Sequence, residues 1–289
     1  MTQYQESAPV LTIKNLSINY LGERTVHAVK NVSLSLGRGE ILGLAGESGC
    51  GKSTLAYGVN RLLKPPGVIT SGTAEFHSRE GDTIDLGTLA GEDLRAFRWD
   101  KISMVFQGAM NSLNPVISIR AQMEDIFTAH RPEMGRRERR ERCGDLLERV
   151  GVDRLRLRSF PHELSGGMRQ RVAILRAFLT NPQILLMDEP FGALDSQTRL
   201  VMQEELLRIW KDHLKTVVYV THDIEEAILL GDRILVLSGR PGSLRADIPI
   251  PLPRPRQFTD LNRPEVVELY WRIWKMIEAE VRKDLGIQA

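Results

Sequence analysis

Residues 41–54 read ILGLAGESGCGKST, and the fold follows from how this stretch divides. Ile41 to Ala45 is a short apolar run suited to a strand buried on both faces. Gly46 to Gly51 is a glycine-rich loop, and Lys52 opens a helix. Gly46, Gly51, Lys52 and Ser53 fit the pattern G-x-x-x-x-G-K-[ST]. Glycines let the backbone curl so that several N–H groups converge on one anion. A helix beginning there adds its unpaired N–H groups and its dipole. Lys52 is expected to reach β- and γ-phosphates, and the Ser53 hydroxyl to hold Mg²⁺. A glycine turn can match a short motif by chance. The strand before it and the helix former after it supply the context the pattern requires.

The rest of the composition is consistent with such a protein. The 289 residues suffice for one large domain or two modest ones. Charged residues make up 26% and hydrophobic ones 42%, as in an ordinary globular chain. Lys and Arg number 39 against 37 Asp and Glu, a balance that argues against bulk nucleic-acid binding. The two cysteines, Cys50 and Cys143, cannot build a disulfide framework or by themselves ligate a zinc or an iron–sulfur cluster. Cys50 lies inside the phosphate loop, where a cation and a helix N-terminus would lower its pKa; a plain small loop residue is the reading preferred. The opening MTQYQESAPV lacks the basic and apolar regions of a signal peptide, and no run of eighteen apolar residues occurs. A cytosolic nucleotide-binding α/β protein is expected.

Upstream of the loop, LTIKNLSINY and AVKNVSLSL alternate with a period of two, separated by the turn-like LGERT. They predict an antiparallel sheet leading into the loop. Tyr20, 26 residues before Gly46, is either an ordinary strand aromatic or a ring on which a base could stack. Downstream, the helix should run from Lys52 to about Leu63, stopped by Pro65 and Pro66, with a hairpin in GVITSGTAEFHS. KISMVFQ is a short strand ending in the amide of Gln107. From Gly108 to about Arg158 strand signals vanish. Cys143, Leu146, Leu147 and Val150 fall on one helix face, and the run RRERRER lies opposite as a solvated face. This segment reads as an inserted helical subdomain, about residues 108–170.

Ser165-Gly166-Gly167 precedes a long helix and makes a second anion site by the same physics as the loop. QILLMDE is a buried strand ending in two carboxylates. Asp188 is suited to orient Mg²⁺ or its water, and Glu189 to polarise an attacking water. FGALD then turns into a helix over Gln197–Trp210. TVVYVTH is another buried strand tipped by His222, at the strand edge where open α/β sheets place ligands. RILVLS is a final core strand. IPIPLPRPRQ is a proline-rich arm, followed by a helix from about Pro264 to Gly286 whose apolar face is Val266, Tyr270, Ile273, Trp274, Ile277 and Val281. Docking of that helix on the protein's own surface or on a partner subunit is the expectation, because Glu265, Glu268, Glu278 and Glu280 oppose anionic lipid.

Over at least residues 10–240 the ordered set resembles the ATP-binding cassette family, the ATPase subunits of ABC transporters. GESGCGKST resembles Walker A, Gln107 the Q-loop glutamine, LSGGMRQ the signature motif, ILLMDE Walker B, Ala193-Leu194-Asp195 the D-loop, and His222 the switch histidine. Tyr20 falls where the family's base-stacking aromatic lies. Six motifs in order are far more specific than any one. The resemblance implies a P-loop NTPase (RecA-like) α/β core with an antiparallel β subdomain and an inserted α-helical subdomain. The ATPase domain would span 1–240, with 241–289 as the arm and amphipathic helix.

It further implies ATP and Mg²⁺ as cofactors, bound between two cassettes packed head to tail. Gly46, Glu47, Ser48, Gly49, Cys50, Gly51, Lys52, Ser53 and Thr54 would wrap the phosphates of one ATP. Ser53, Asp188 and Gln107 would serve the metal. Ser165, Gly166, Gly167 and Asp195 would come from the other subunit. Glu189 would be the general base, His222 would position the γ-phosphate or water, and Gln107 would touch the attacking water beside the membrane partner. The implied partners are a second cassette, identical or paralogous, two transmembrane permease subunits and an extracytoplasmic solute-binding protein, with no nucleic acid. The implied location is the cytoplasmic face of the inner membrane. Residues 36–172 resemble the oligopeptide/dipeptide/nickel importer group through FQGAMNSLNPV and PHELSGGMRQRV. EPFGALD, VTHDIEEAILLGDRILVLSGRPG and the proline-rich arm look more like the nitrate/sulfonate/taurine group. A peptide-like solute is slightly preferred, because SLNPV lies in the helical region near the membrane partner.

Overall fold

The computed structural model describes residues 8–192, 194–213 and 216–284. Its strands are β1 (Pro9–Tyr20), β2 (Val26–Gly37), β3 (Ile41–Ala45), β4 (Gly67–His77), β5 (Thr83–Asp85), β6 (Ile102–Val105), β7 (Ile184–Asp188), β8 (Thr216–Val220), β9 (Arg233–Leu237) and β10 (Leu244–Pro249). Its helices are α1 (Lys52–Val59), α2 (Gly91–Asp100), α3 (Ile119–His130), α4 (Arg136–Arg149), α5 (Gly166–Arg176), α6 (Ser196–His213), α7 (Ile224–Leu230) and α8 (Pro264–Asp284). The fold is the mixed α/β cassette anticipated from the motifs, with a parallel-sheet core and an antiparallel β subdomain. The chain forms two compact units, Met1–Ala90 with Lys215–Ala289, and Gly91–Leu214.

In the first unit, β2, β1, β4 and β5 form an antiparallel sheet in that order. The expected hairpin in 67–77 is instead one long strand. Gly72 adopts φ +85 where β4 passes Asn15, and the β1–β4 register shifts there. A Cβ on Gly72 would overlap the Asn15 carbonyl, so the glycine marks a bulge rather than a turn. Beside this sheet β3 runs parallel to both β8 and β9, and β10 closes antiparallel on β9. Every residue of β3 and β8 is buried, as expected for parallel strands covered on both faces.

The proline-rich region contributes structure. Leu244–Pro249 supplies the edge strand β10, a place where proline is tolerated because an outer N–H has no ladder partner to lose. The guanidinium of Arg256 is buried against the carbonyls of Ile228 (2.9 Å) and Leu252 (2.9 Å). It thereby caps the C-terminus of α7 with a cation. Arg254 pairs with Asp232 at 2.8 Å, and Asp232 also accepts from the Ile41 N–H at 2.9 Å, tying the arm to the start of β3.

Helix α8 docks on this unit through Val266, Leu269 and Ile273, which join Ile224, Ile228, Ile234, Ile248 and Leu252 in one core cluster. Full burial of each such side chain is worth roughly 1.5–3 kcal/mol. The inward face differs from the expected one. Leu269 points in, whereas Trp274 is 42% exposed and stacks on Tyr270. The expected helix end at Gly286 lies outside the described residues, as does the side chain of Val281.

The second unit contains the parallel pair β6–β7, with Ile102 opposite Ile184 and Val105 opposite Met187, and the helices α2 to α6. Cys143, Leu146, Leu147 and Val150 are buried on one face of α4, as their spacing predicts. On the opposite face Arg137 pairs with Glu141 at 3.0 Å, both side chains largely in solvent. Among the described residues no helix is long and apolar enough to cross a membrane.

Candidate nucleotide site

The first unit holds the phosphate loop. Ala45 ends β3 and α1 begins at Lys52, sooner ended than expected because Asn60 leaves helical geometry and Arg61 takes φ +56. Between them the loop is pressed into the fold. Gly51 has φ +98, and a Cβ there would overlap the Ala28 carbonyl. A Cβ on Gly46 would lie 2.9 Å from both Cys50 Sγ and the Leu237 carbonyl. Helix α1 has no side-chain N-cap, so its first N–H groups are left to the loop and to whatever the loop holds.

Lys52 is buried, with Nζ donating to the carbonyls of Gly46 (2.8 Å) and Glu47 (2.7 Å). The ammonium therefore lies across the loop mouth. Cys50 is buried against it, with Sγ 3.8 Å from Nζ. Burial pushes the thiol above its ordinary value despite the nearby ammonium, so Cys50 is the small packing residue preferred from the sequence. Glu47, Ser48 and Gly49 form the outward rim, and Ser53 sits half-buried in the first turn of α1. The Thr54 hydroxyl meets the Tyr20 hydroxyl at 3.2 Å, which fixes the ring beside that turn. Thr221 N–H donates to the Leu44 carbonyl at 3.2 Å, and Leu44 lies opposite Val220. This register brings exposed His222 to the same sheet end as Gly46. Asp223 caps α7 through the N–H groups of Glu225 (2.9 Å) and Glu226 (3.2 Å), which fixes the backbone next to His222.

The second unit holds the carboxylates. Gln107 lies two residues beyond β6 and Glu189 one beyond β7. Gln107 Nε2 donates to Glu189 Oε2 at 3.1 Å. Glu189 adopts φ +43, a region that costs a non-glycine residue about 1–2 kcal/mol. A non-glycine residue held there at a strand end marks a site. Buried Gln170 of α5 donates to the Pro190 carbonyl and pins the turn after Glu189, a role the sequence did not signal beyond its place in LSGGMRQ. Asp188 is fully buried at the end of β7. Gln107 and Asp188 are oxygen donors suited to a hard cation. Among the described residues no three His, Cys, Asp or Glu side chains cluster.

Ser165 caps α5, accepting from the Met168 N–H at 3.3 Å. Among the described residues beyond its own helix turn, Gly166 has no atom within 4 Å of a Cβ built on it, and Gly167 meets only the Thr198 methyl at 3.8 Å. Asp195 accepts from the Thr198 N–H at 3.0 Å, and this bond holds its carboxyl below the usual range. Asp195 thus serves the start of α6. Its D-loop neighbour Ala193 lies outside the described residues.

The ABC transporter family model matches residues 29–192. An ABC transporter ATP-binding protein of Methanocaldococcus jannaschii is 35% identical over 277 residues, 95% of this chain and 94% of that one. A Brucella melitensis ATP-binding protein assigned by name to peptide import is 36% identical over 233 residues, 79% of this chain and 69% of that one. ProV of Escherichia coli, the ATP-binding protein of a glycine betaine/proline betaine transport system, is 40% identical over 209 residues, 72% of this chain and 49% of that one. Among solved structures, a dimeric ATP-binding cassette in a post-hydrolysis state with ADP and Pi is 33% identical, with a TM-score of 0.69 over 83% of this chain and 98% of that one. The relatives include both peptide-import and ProV types, so they do not single out a subgroup. By the family model, its relatives and its cassette fold, the chain belongs to the ABC transporter family, as an ATP-binding and ATP-hydrolysing transporter subunit.

Proposed function

We propose that this subunit drives solute import, and that its ATP is hydrolysed only between two cassettes packed head to tail. The observation that carries this reading is that, among the described residues, no atom crowds a Cβ built on Gly166 and only the Thr198 methyl, at 3.8 Å, meets one built on Gly167. Glycine at the start of a helix costs stability relative to alanine, and nothing in the chain's own packing requires it here. A surface approached closely by another molecule does require it. The γ-phosphate of an ATP held by a second copy, or by a paralogue, is that molecule. A similar cassette that is dimeric with ADP and Pi bound supports a two-cassette assembly.

In this reading Gly46 to Thr54 wrap the phosphates and Tyr20 stacks on the base. Lys52 exchanges its two carbonyl partners for β- and γ-phosphate oxygens, which are stronger, charged acceptors. Glu189 takes the proton of the attacking water as the bond to the γ-phosphorus forms and the β–γ bridge breaks. Gln107 orients Glu189 through the 3.1 Å bond and lies beside the membrane partner. His222 positions the γ-phosphate or the water. Ser165, Gly166, Gly167 and Asp195 act from the opposing cassette. Mg²⁺, held by Ser53, Asp188 and Gln107, would neutralise charge on the phosphates. Residues 1–240 are the ATPase domain, with the helical subdomain near 108–170 meeting the permeases, and 241–289 form the arm and final helix. The assembly sits on the cytoplasmic face of the membrane with two permeases and a solute-binding protein.

A peptide-like solute is the first choice, supported by SLNPV at residues 112–116 and by the Brucella relative. The nitrate/sulfonate-type alternative rests on EPFGALD and VTHDIEEAILLGDRILVLSGRPG. Glu189→Gln should lower phosphate release by about 10²–10⁴-fold while ATP binding persists and an ATP-bound dimer appears on gel filtration. Substantial turnover in that variant would remove Glu189 as the base. Purification of the ATPase without any membrane subunit from its native host would sink the transport assembly.

A further inference from the structure

The turn between β9 and β10, Ser238 to Ser243, reaches the phosphate loop from 191 residues away. It is itself rigid. Ser238 N–H donates to the Ser243 carbonyl at 2.9 Å, and the two serine hydroxyls meet at 2.8 Å. It is also fixed from outside by β2. Gly242 N–H donates to the Ala28 carbonyl at 3.0 Å, and Lys30 N–H donates to the Gly242 carbonyl at 2.8 Å. From this platform two residues grip the loop. A Cβ on Gly242 would overlap the Cys50 carbonyl, so the turn backbone lies directly against the loop backbone. Arg240 lays its guanidinium over Gly49, where a Cβ would collide with it, and Nε donates to the Gly49 carbonyl at 3.3 Å. A cleft of about 330 Å³ opens at this point, lined by Glu47, Ser48, Cys50, Gly239 and Arg240.

We propose that Arg240 is a positioning residue for nucleotide binding: its guanidinium holds the apex of the phosphate loop and adds a fixed positive charge at the rim of the anion cradle. The physical case has two parts. A loop of glycines loses more conformational freedom on ordering than any other, so a nest of N–H groups at positive φ (Gly49 +82, Gly51 +98) gains from an external clasp. A guanidinium serves that end because its planar fork bonds a carbonyl while its charge stays constant and faces the developing site. Holding the Gly49 carbonyl also keeps that acceptor turned away from the phosphates, leaving N–H groups to face them. The inference rests on the reading of Gly46–Ser53 as the ATP phosphate site.

The test uses the full-length chain. ATP and ADP affinities are measured by calorimetry for wild type, Arg240→Ala, Arg240→Lys, Arg240→Gln and Lys52→Ala, with amide exchange of residues 46–51 followed without nucleotide. Arg240→Ala should weaken ATP and ADP alike by about tenfold, the scale of one charge-assisted hydrogen bond. Amide exchange in 46–51 should quicken while the rest of the chain is unchanged. Arg240→Lys should recover part of the affinity through its charge, and Arg240→Gln, the second variant should the alanine fail to fold, should recover less. In steady state the loss should appear mainly in KM for ATP rather than in kcat. Wild-type affinity and exchange in Arg240→Ala, beside a crippled Lys52→Ala, would overturn the proposal alone. Wild-type ATP affinity in Lys52→Ala would overturn the phosphate-site reading and the proposal with it.

Discussion

Two glycine-bearing helix starts, one in each unit, are built in opposite ways. At the phosphate loop the space beside each glycine Cα is filled. Gly46 and Gly51 are walled in by Leu237 and Ala28, Arg240 covers Gly49, and α1 has no side-chain cap. At Ser165 the helix is capped by its own serine, and Gly166 faces open space. The first set of glycines is demanded by this chain's own packing. The second set is not, which supports the proposal that another molecule approaches there. In the proposed reading, the difference separates a face built within the subunit from one that a second cassette completes.

The contrast breaks hardest at Gly51. Gly51→Ala must push a methyl into the Ala28 carbonyl at a φ of +98, so destabilisation by about 3 kcal/mol or more is expected, with loss of ATP binding. Thermal unfolding and calorimetry on the same preparation would check it, and a stable variant that binds ATP would refute the closed-loop description.

The two cysteines sharpen the comparison between the units. Cys50 has Lys52 opposing the effect of burial, whereas burial pushes Cys143 in α4 up to about 12. The folded state therefore keeps a proton on Cys143 that the unfolded chain releases near pH 9. Stability from this group is complete below pH 9 and falls as pH rises toward 12, by about 2 kcal/mol at pH 10.5. Urea unfolding at pH 7.5 and 10.5 should show the loss, and Cys143→Ala should show a smaller one. Equal pH dependence in both proteins would contradict the assignment.

The smallest effect carries the sharpest sign. Gly166→Ala should raise stability by roughly 0.5–1 kcal/mol, because open space surrounds the new methyl and alanine is the better helix former. ATPase activity should nonetheless fall, since the methyl obstructs the opposing phosphate. A Gly166→Ala protein that is less stable, or fully active, would undo the distinction between the two half-sites.

The candidate site residues could be nominated from the sequence because the signals that mark them are local. The phosphate loop, Gln107, Glu189, Ser165 and His222 each stand at the end of a strand or the start of a helix. Short-range pattern places such residues without knowledge of the fold. What was misread depends on distant neighbours. Residues 67–77 look like a hairpin because Gly72 resembles a turn residue, yet its role is to clear the Asn15 carbonyl on the adjacent strand. Trp274 looks like a buried anchor, but the i, i+3, i+4 spacing admits two overlapping stripes, and the cluster around Ile228 and Ile248 selects the one with Leu269. Arg256 reads as part of a polar, proline-rich tail until four carbonyls near the end of α7 are seen to converge on it.

The sequence by itself determined the cassette fold and nominated the candidate site residues, since glycine spacing, apolar runs and terminal carboxylates are constraints between near neighbours. Only the tertiary structure decided which glycines are enclosed and which are open, that Lys52 rests on the carbonyls of Gly46 and Glu47, and that Arg240 lies on the loop from a turn 191 residues later. These are questions of what fills the space beside a backbone atom, and that space is occupied by chain that no local pattern can see.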